Sequence, residues 1–404
     1  MKTVAIIFLL VIIGFNAKTQ TAYITNETDN TVSVINVLTN SVSGIIYVGA
    51  NPTGVAVSPD GSKVYIVNTN VNTVSVIHTA LNIVSNTITV GEDPFGISIS
   101  PDGSKLYIAN NFDNTVSVIN TATNNVLATI PVGYRAYGVG VSPDGSKVYV
   151  TNHSDFSVSV INTSTNTVIA TIPVGSGPLG VIFSPNGLNA YVTNKNTGTV
   201  SVINTATNTV SNTITVGVQP WGVAIHPDGS KIYVTNYSSN TVSVINTTTN
   251  LVSNTIPVGS GPDGISVTPD GNLLYVVNHD ANTVNVINTT TNTVTDTITV
   301  GSVPYSFGNF ISTCITDVAL LNNEPASITL YPNPASDIIH LNFSNKNLSK
   351  ITLNIYNVTG ALVKSEILNQ NNSKVYIGDL SNGMYLVTIK SNEFAENQRL
   401  IIQK

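Results

Sequence analysis

The 404-residue chain is poor in charge. Asp, Glu, Lys and Arg supply 9% of its residues, and it holds two Met, one Trp and one Cys. A single cysteine excludes a disulfide framework and any cysteine-based zinc site. With 15 basic against 21 acidic residues the formal net charge is −6, which excludes the basic face that nucleic-acid binding requires. No apolar run reaches the roughly 20 residues of a membrane-spanning helix. Thr, Asn, Val, Ser and Ile fill the chain instead, and these are strand and turn formers. The composition predicts an all-β protein and argues against a helical bundle or an α/β enzyme.

Lys2 is followed by an apolar stretch over 4–15 and then by polar Asn16, Lys18, Thr19 and Gln20. A basic start with a short apolar core predicts a secretory signal peptide over 1–20, cleaved between Ala17 and Gln20. No cysteine follows the run to carry a lipid anchor.

A tyrosine then recurs in steps of 42 residues, at Tyr23, Tyr65, Tyr107, Tyr149, Tyr191, Tyr233 and Tyr275. Gly49 to Gly301 keep the same step, and an asparagine follows each tyrosine by three, from Asn26 to Asn278. In the copy over 52–91, residues 54–58, 63–68, 73–77 and 83–90 read as four strands, with Pro59-Asp60-Gly61 turning the chain between the first two. A period near 42 with four strands per copy predicts a β-propeller. Single sheets of this kind cannot bury both faces, so the copies must stack into a ring. The first copy, from Ala22, holds only strands two to four, whereas 304–311 is a first strand with nothing after it. The chain therefore predicts seven blades over 21–311. The last segment supplies the missing strand of blade one, a three-plus-one closure.

The string Tyr-Val-Thr-Asn at 149–152, 191–194 and 233–236, with Ser-Pro-Asp-Gly-Ser-Lys at 58–63, 100–105 and 142–147, resembles the YVTN-family β-propeller repeats of microbial cell-surface proteins. The resemblance implies a fold and a surface location, and no single activity.

The period ends at Ile311. Residues 312–327 read as a linker, and 328–404 as a small Ig-like β-sandwich with strands near 337–343, 351–357, 374–377 and 384–389. The motifs Tyr331-Pro332-Asn333-Pro334, Ile355-Tyr356-Asn357-Val358-Thr359-Gly360 and Asn382-Gly383-Met384-Tyr385 resemble the type A C-terminal sorting domain of the type IX secretion system. That resemblance implies a Bacteroidota source, the type IX machinery as a partner, and secretion or outer-surface display.

No nucleophile elbow, zinc-binding helix motif, phosphate loop or calcium loop is present. His153 and His279 occupy equivalent positions three copies apart, nearly opposite in a seven-blade ring, which argues against a shared metal; both read as exposed loop histidines. The first strands, expected to be innermost, carry no carboxylate, and only His226 titrates near neutral pH there. The repeated Asp60, Asp102, Asp144, Asp228 and Asp270 read as turn residues capping their own backbone. The chain thus predicts neither cofactor nor metal and no enzymatic activity.

Comparison of the copies singles out one face. The turns joining strands one to two and three to four hardly change, whereas the loops joining four to one and two to three change in every copy. These variable loops share one face and hold the only Trp and the propeller's only Arg. Loops on a rigid scaffold are where recognition resides, and aromatic and Arg content favours contact surfaces. The candidate ligand-binding residues are Glu92, Phe95, Tyr134, Arg135, Tyr137, His153, Phe156, Trp221, Tyr237 and Tyr305, for an extracellular glycan or protein. The competing reading is that the aromatics only plug the channel mouth. Alternative classes are a propeller enzyme, such as a lactonase or lyase, and a structural surface-layer component. An acidic body, 14 acidic against 6 basic residues over 21–311, disfavours anionic lipid and nucleic acid.

Overall fold

The computed structural model describes residues 20–312, 328–343, 351–357, 361–368, 374–390 and 395–404. All but Gln20 of the signal peptide assigned over 1–20, all but Ser312 of the linker assigned over 312–327, and Val358, Thr359 and Gly360 of the sorting motifs lie outside the described residues.

Each complete repeat is a four-stranded antiparallel sheet with its strands in chain order, as in Pro52–Val57, Lys63–Asn68, Thr73–His78 and Ile83–Thr89. Six such blades follow a three-stranded first blade, Thr21–Asn26, Thr31–Asn36 and Ser41–Tyr47. Burial falls from the axis outward. The second and third strands are buried on both faces between neighbouring blades, whereas the fourth is exposed apart from one inward isoleucine. This explains the unbroken apolar Val-Tyr-Ile of the second strands. The core lies between blades: Tyr107, Val118 and Ile130 of blade three pack with Val139, Val148 and Ile161 of blade four. The serines of the third strand do not face water as simple alternation suggests. Ser75 and Ser159 are buried, and each accepts a hydrogen bond from the Nδ2 of the repeat asparagine, Asn68 or Asn152, at 2.9 Å.

The four residues of the Tyr-Val-Thr-Asn string divide the work of joining blades. Tyr149 is fully buried and its Oη donates to Asn208 of blade five at 2.9 Å. Val150 enters the core. Thr151 Oγ1 accepts from the Gly138 N–H of its own blade at 2.7 Å and donates to the Leu179 carbonyl of the next at 2.8 Å. Thr193 and Thr235 repeat this clip onto the carbonyls of Trp221 and Asp263. Lysine of the Ser-Pro-Asp-Gly-Ser-Lys turn is also an inter-blade tie, since Lys147 Nζ donates to the Thr205 carbonyl at 2.7 Å. The turn aspartates behave as the sequence predicts: Asp102 accepts from the Ser104 N–H at 3.0 Å, and hydrogen bonds from Ser100 and Ser104 hold its carboxyl down at about 2.

Each inner strand carries a bulge. Its first residue pairs normally with the repeat asparagine, as Pro94 does with Asn110, but the next two slip out of register before pairing resumes at Ile97. The second of them is glycine because the neighbouring blade lies against it: a Cβ on Gly96 would come 2.1 Å from the Tyr137 carbonyl oxygen, and one on Gly138 2.1 Å from that of Leu179.

The seventh inner segment, 304–312, closes the ring as predicted but not as a regular strand. It bridges Asn26 at Pro304 and Ala22 at Ile311, and Tyr23 donates its N–H to the Phe310 carbonyl at 2.9 Å. Between these points Ser306 stands where the other copies have glycine. It adopts φ 46°, its Oγ accepts from the Thr25 N–H at 2.9 Å, and Phe307 exchanges backbone bonds with Thr53 and Val55 of blade two. The closure therefore ties blade one to blade two as well as completing blade one.

The C-terminal unit is a two-sheet sandwich, as expected. Ile328–Tyr331, Ile338–Phe343 and Lys374–Tyr376 form one sheet; Ile351–Tyr356, Leu362–Leu368, Gly383–Lys390 and Ala395–Ile402 form the other. Asn333 of the Tyr331-Pro332-Asn333-Pro334 motif fastens the opening of the unit to its last strand, accepting from the Ile401 N–H at 2.8 Å and donating to the Arg399 carbonyl at 2.6 Å. Tyr385 donates to the Ser381 carbonyl at 2.9 Å, and Gly383 takes a positive φ at the turn between them.

Two substitutions test this architecture. Gly138→Ala leaves an ordinary φ but forces two blades apart, and should cost about 1–3 kcal/mol or more in denaturant unfolding. Phe310→Ala empties a fully buried site at the seam and should cost about 3–5 kcal/mol, with limited proteolysis starting at the seam.

Candidate functional site

The bulge puts the residue between the inner-strand Pro (or Ala136) and its glycine outside the ladder, so its side chain turns to the axis. Seven positions at the 42-residue step form a ring there: Thr53, Phe95, Tyr137, Leu179, Trp221, Asp263 and Tyr305. A second ring surrounds it, formed by the residue after each repeat asparagine: Glu27, Thr69, Asn111, His153, Lys195, Tyr237 and His279. Loop rigidity comes from left-handed asparagines. Asn72 and Asn114, with φ 54° and 58°, accept through Oδ1 from the N–H of Asp93 and Arg135 in the following four-to-one loops, at 3.0 and 2.8 Å.

The aromatic members converge. Phe95 stacks on Tyr137 with centroids 4.6 Å apart, and Trp221 and Phe307 meet Tyr137 edge-on at 6.4 and 5.6 Å. Tyr305 lies edge-on to Phe95 and Trp221, and its hydroxyl makes a short hydrogen bond with that of Tyr137. Tyr237 extends the cluster outward from Trp221, at 5.4 Å. Tyr305 is buried; Phe95, Tyr137, Trp221 and Tyr237 are partly exposed. The rings thus both plug the channel and present a floor to the mouth. Below them the channel is lined by glycine, Val139, Val181, Val223 and Ile265, and it widens to a cavity of about 320 Å³ at the opposite face, reached by Ser98, Ser266 and Asn309.

Of the ten residues singled out from sequence, Phe95, Tyr137, His153, Trp221, Tyr237 and Tyr305 are brought together around the axis. Arg135 stands on the rim, its Nη1 donating to Asn111 at 3.0 Å. Glu92, Tyr134 and Phe156 are exposed loop residues, Tyr134 at 66% and Phe156 at 47%, and the Glu92 and Tyr134 N–H groups are held by Asp113 and Asp155.

Several readings of the sequence change. The two histidines are not free loop residues. His153 lies 6.4 Å from the Tyr137 ring and His279 6.1 Å from the Tyr305 ring, and burial, followed by Lys195 and Arg135, lowers the affinity of His153 for a proton. His226 does not line the channel; it occupies the turn after Pro220–Ile225, with Nδ1 2.6 Å from Asp228. Most consequentially, the inner strands do carry a carboxylate. Asp263 belongs to the strand Pro262–Val267 and has no exposed surface. Its Oδ1 takes the Gly264 N–H, whereas Oδ2 has no partner. Burial, and then the negative charges of Glu27 and Asp280, push it well above the usual carboxylate range. The signal was present in the sequence as register, since 263 falls on the same step as 137 and 221.

Charge is divided across the mouth. Glu27, Asp263 and Asp280 gather on the side of blades one and seven, where His279 Nδ1 lies 2.7 Å and Tyr237 Oη 2.9 Å from Asp280. Arg135, His153 and Lys195 gather on the side of blades four and five, with the Lys195 ammonium 4.3 Å above the Trp221 ring. The ionisable groups that share a centre are those around Asp263, with Glu27 and Asp280. Among the described residues no three His, Cys, Asp or Glu side chains are grouped as a metal site requires.

Residues 329–403 match a secretion system C-terminal sorting domain, which implies export through the type IX machinery to the outer cell surface or beyond it. No curated protein matches the chain. Among solved structures, the hydrazine synthase of Kuenenia stuttgartiensis aligns at 25% identity and TM-score 0.62, over 67% of this chain and 92% of that one. A functionally unknown protein of Desulfotomaculum acetoxidans aligns at 18% identity and TM-score 0.63, over 71% and 99%, and shares the fold. Residues 13–127 and 139–307 match the family described as lactonase, 7-bladed beta-propeller; in repeat, ring closure and blade number alike, the chain belongs to that seven-bladed propeller family.

Proposed function

We propose that this exported propeller is a non-enzymatic binding protein whose ligand is an extracellular glycan held at the aromatic mouth. The observation that carries the reading is the concentration of Phe95, Tyr137, Trp221 and Tyr237, each part-exposed, on a floor ringed by fixed hydrogen-bonding groups. Flat rings supply large contact area at low entropic cost, and the polar rim of Arg135, His153, Lys195 and His279 suits hydroxyl recognition. The opposite face repeats the same turns in every blade and has no such diversity. Residues 1–20 act in this reading as the signal peptide that precedes type IX export in a Bacteroidota cell.

A second reading has specific support. The family description names lactonases, and a buried carboxyl of raised proton affinity, two tyrosines and a His–Asp pair share the same centre, a combination that general acid–base chemistry uses. Hydrolysis of a lactone panel by the full-length protein separates the two readings. The binding reading expects no turnover above buffer; turnover that Asp263→Asn abolishes would replace it with the enzymatic one.

Trp221→Ala should weaken glycan binding by about 2 kcal/mol or more, roughly 30-fold, in an array followed by calorimetry. Its unfolding midpoint should stay near that of the wild type, because the indole is part-exposed and lies outside the inter-blade core. Unchanged binding by Trp221→Ala together with Tyr137→Ala removes the mouth from consideration.

A further inference from the structure

Two inner-ring side chains hold a buried polar atom without a hydrogen bond, the Trp221 indole N–H and Asp263 Oδ2, and only Asp263 offers an acceptor. Six blades set Thr, Leu or an aromatic ring at this position; blade seven sets a carboxyl there, buries it completely, and leaves Oδ2 without a hydrogen bond. An unmatched buried acid is costly to keep. The fold relieves it locally only through backbone N–H groups, that of Gly264 on Oδ1 foremost. Glu27 from blade one and Asp280 from blade seven add negative potential, and Tyr137, Tyr237 and Tyr305 feel the Asp263 charge from blades four, six and the closing segment. The nearest basic side chain of this half is His279, which is already engaged by Asp280 and lies 4.0 Å from Glu27. Lys195 of blade five is held over the Trp221 ring.

Once Asp263 is ionised, its Oδ2 lacks a hydrogen-bond donor, and the surrounding negative potential favours a positively charged one. Aromatic faces on the same floor add cation–π attraction. We infer that the mouth takes a ligand through a primary ammonium group, whose three N–H donors are matched by Asp263 Oδ2 and the hydroxyl oxygens of Tyr137 and Tyr305, in place of the bond those two hydroxyls make with each other. A quaternary ammonium has no N–H to give and an amide no charge, so the site selects free amines, as in a de-N-acetylated amino sugar. This rests on the mouth being the binding site, and it names the chemical class of what binds. Burial raises the proton affinity of Asp263, so a cation that needs its carboxylate competes with a proton, and binding strengthens as pH rises, by up to about tenfold per pH unit, until Asp263 is ionised in the unliganded protein.

Calorimetry on the full-length protein with a glucosamine tetramer, its N-acetylated counterpart and the uncharged glucose tetramer tests this, repeated in two buffers of different ionisation enthalpy. Benzylammonium and benzyltrimethylammonium serve as small probes. The expected result is preference for the free amine in both sets, uptake of about one proton by the buffer, and about 10- to 100-fold weaker amine binding by Asp263→Asn, with the pH dependence lost. Asn keeps the shape, so folding is checked by an unchanged or higher unfolding midpoint. Glu27→Gln should give a smaller loss and retain proton release. Binding of the neutral or acetylated tetramer equal to or above that of the amine, with Trp221 still required, overturns the ammonium assignment and leaves the glycan mouth standing. Absence of binding by all five probes, or wild-type amine affinity in Asp263→Asn, also overturns it.

Discussion

Everything in the propeller follows from how near its inner strands come to one another. At each bulge the backbone of one blade meets the carbonyl of the next at a distance that admits glycine and nothing larger. That contact sets the radius of the ring. It also forces the preceding residue out of the ladder and toward the axis, so the same constraint that packs the blades creates the floor of the mouth. In blades four, five and six the threonine clips also hold the contact, bonding the bulge N–H and the neighbour's carbonyl through one hydroxyl. Where serine replaces the glycine, at Ser306, the regular strand is lost and the chain stitches across two blades instead.

This arrangement explains how the protein tolerates Asp263. A carboxyl buried in an ordinary core would strain the packing around it. Here it occupies a position that contributes to no sheet register and to no inter-blade core, so its cost stays local while its chemistry is available at the axis. Among the ring residues, Glu27 and Asp263 lie on the side of blades one and seven, and His153 and Lys195 on the side of blades four and five, while the turns of the far face stay constant.

Most of the architecture was legible in the sequence because it repeats. Seven registers of Tyr, Asn and Gly define blade number, strand order and the need for closure. The variable face was equally legible, since only two loops differ between copies. What the sequence did not reveal were the consequences of the bulge. Without it, residue 263 reads as a loop aspartate; with it, the same residue becomes a buried acid beside Tyr137 and Tyr305. Likewise Glu92, Tyr134 and Phe156 look like the aromatic and acidic partners of the mouth when counted along the chain, yet they lie exposed in the loops, outside the ring contacts that join Phe95, Tyr137, Trp221, Tyr237 and Tyr305. Lys63, Lys105, Lys147 and Lys231 read as turn residues and prove to be ties to the next blade. In each case the missing information is three-dimensional direction rather than residue chemistry.

The left-handed asparagines that brace the mouth have an evolutionary corollary. They grip the backbone of the neighbouring loop, not its side chains, so the identities displayed at the axis are free to drift while their carriers stay put. Seven independent sites with twenty choices each amount to a combinatorial library written on one invariant frame. Relatives built on this frame can therefore diverge in specificity by point substitution alone, without loss of foldability, much as sequence variation in a germline repertoire is confined to the tips of a constant scaffold.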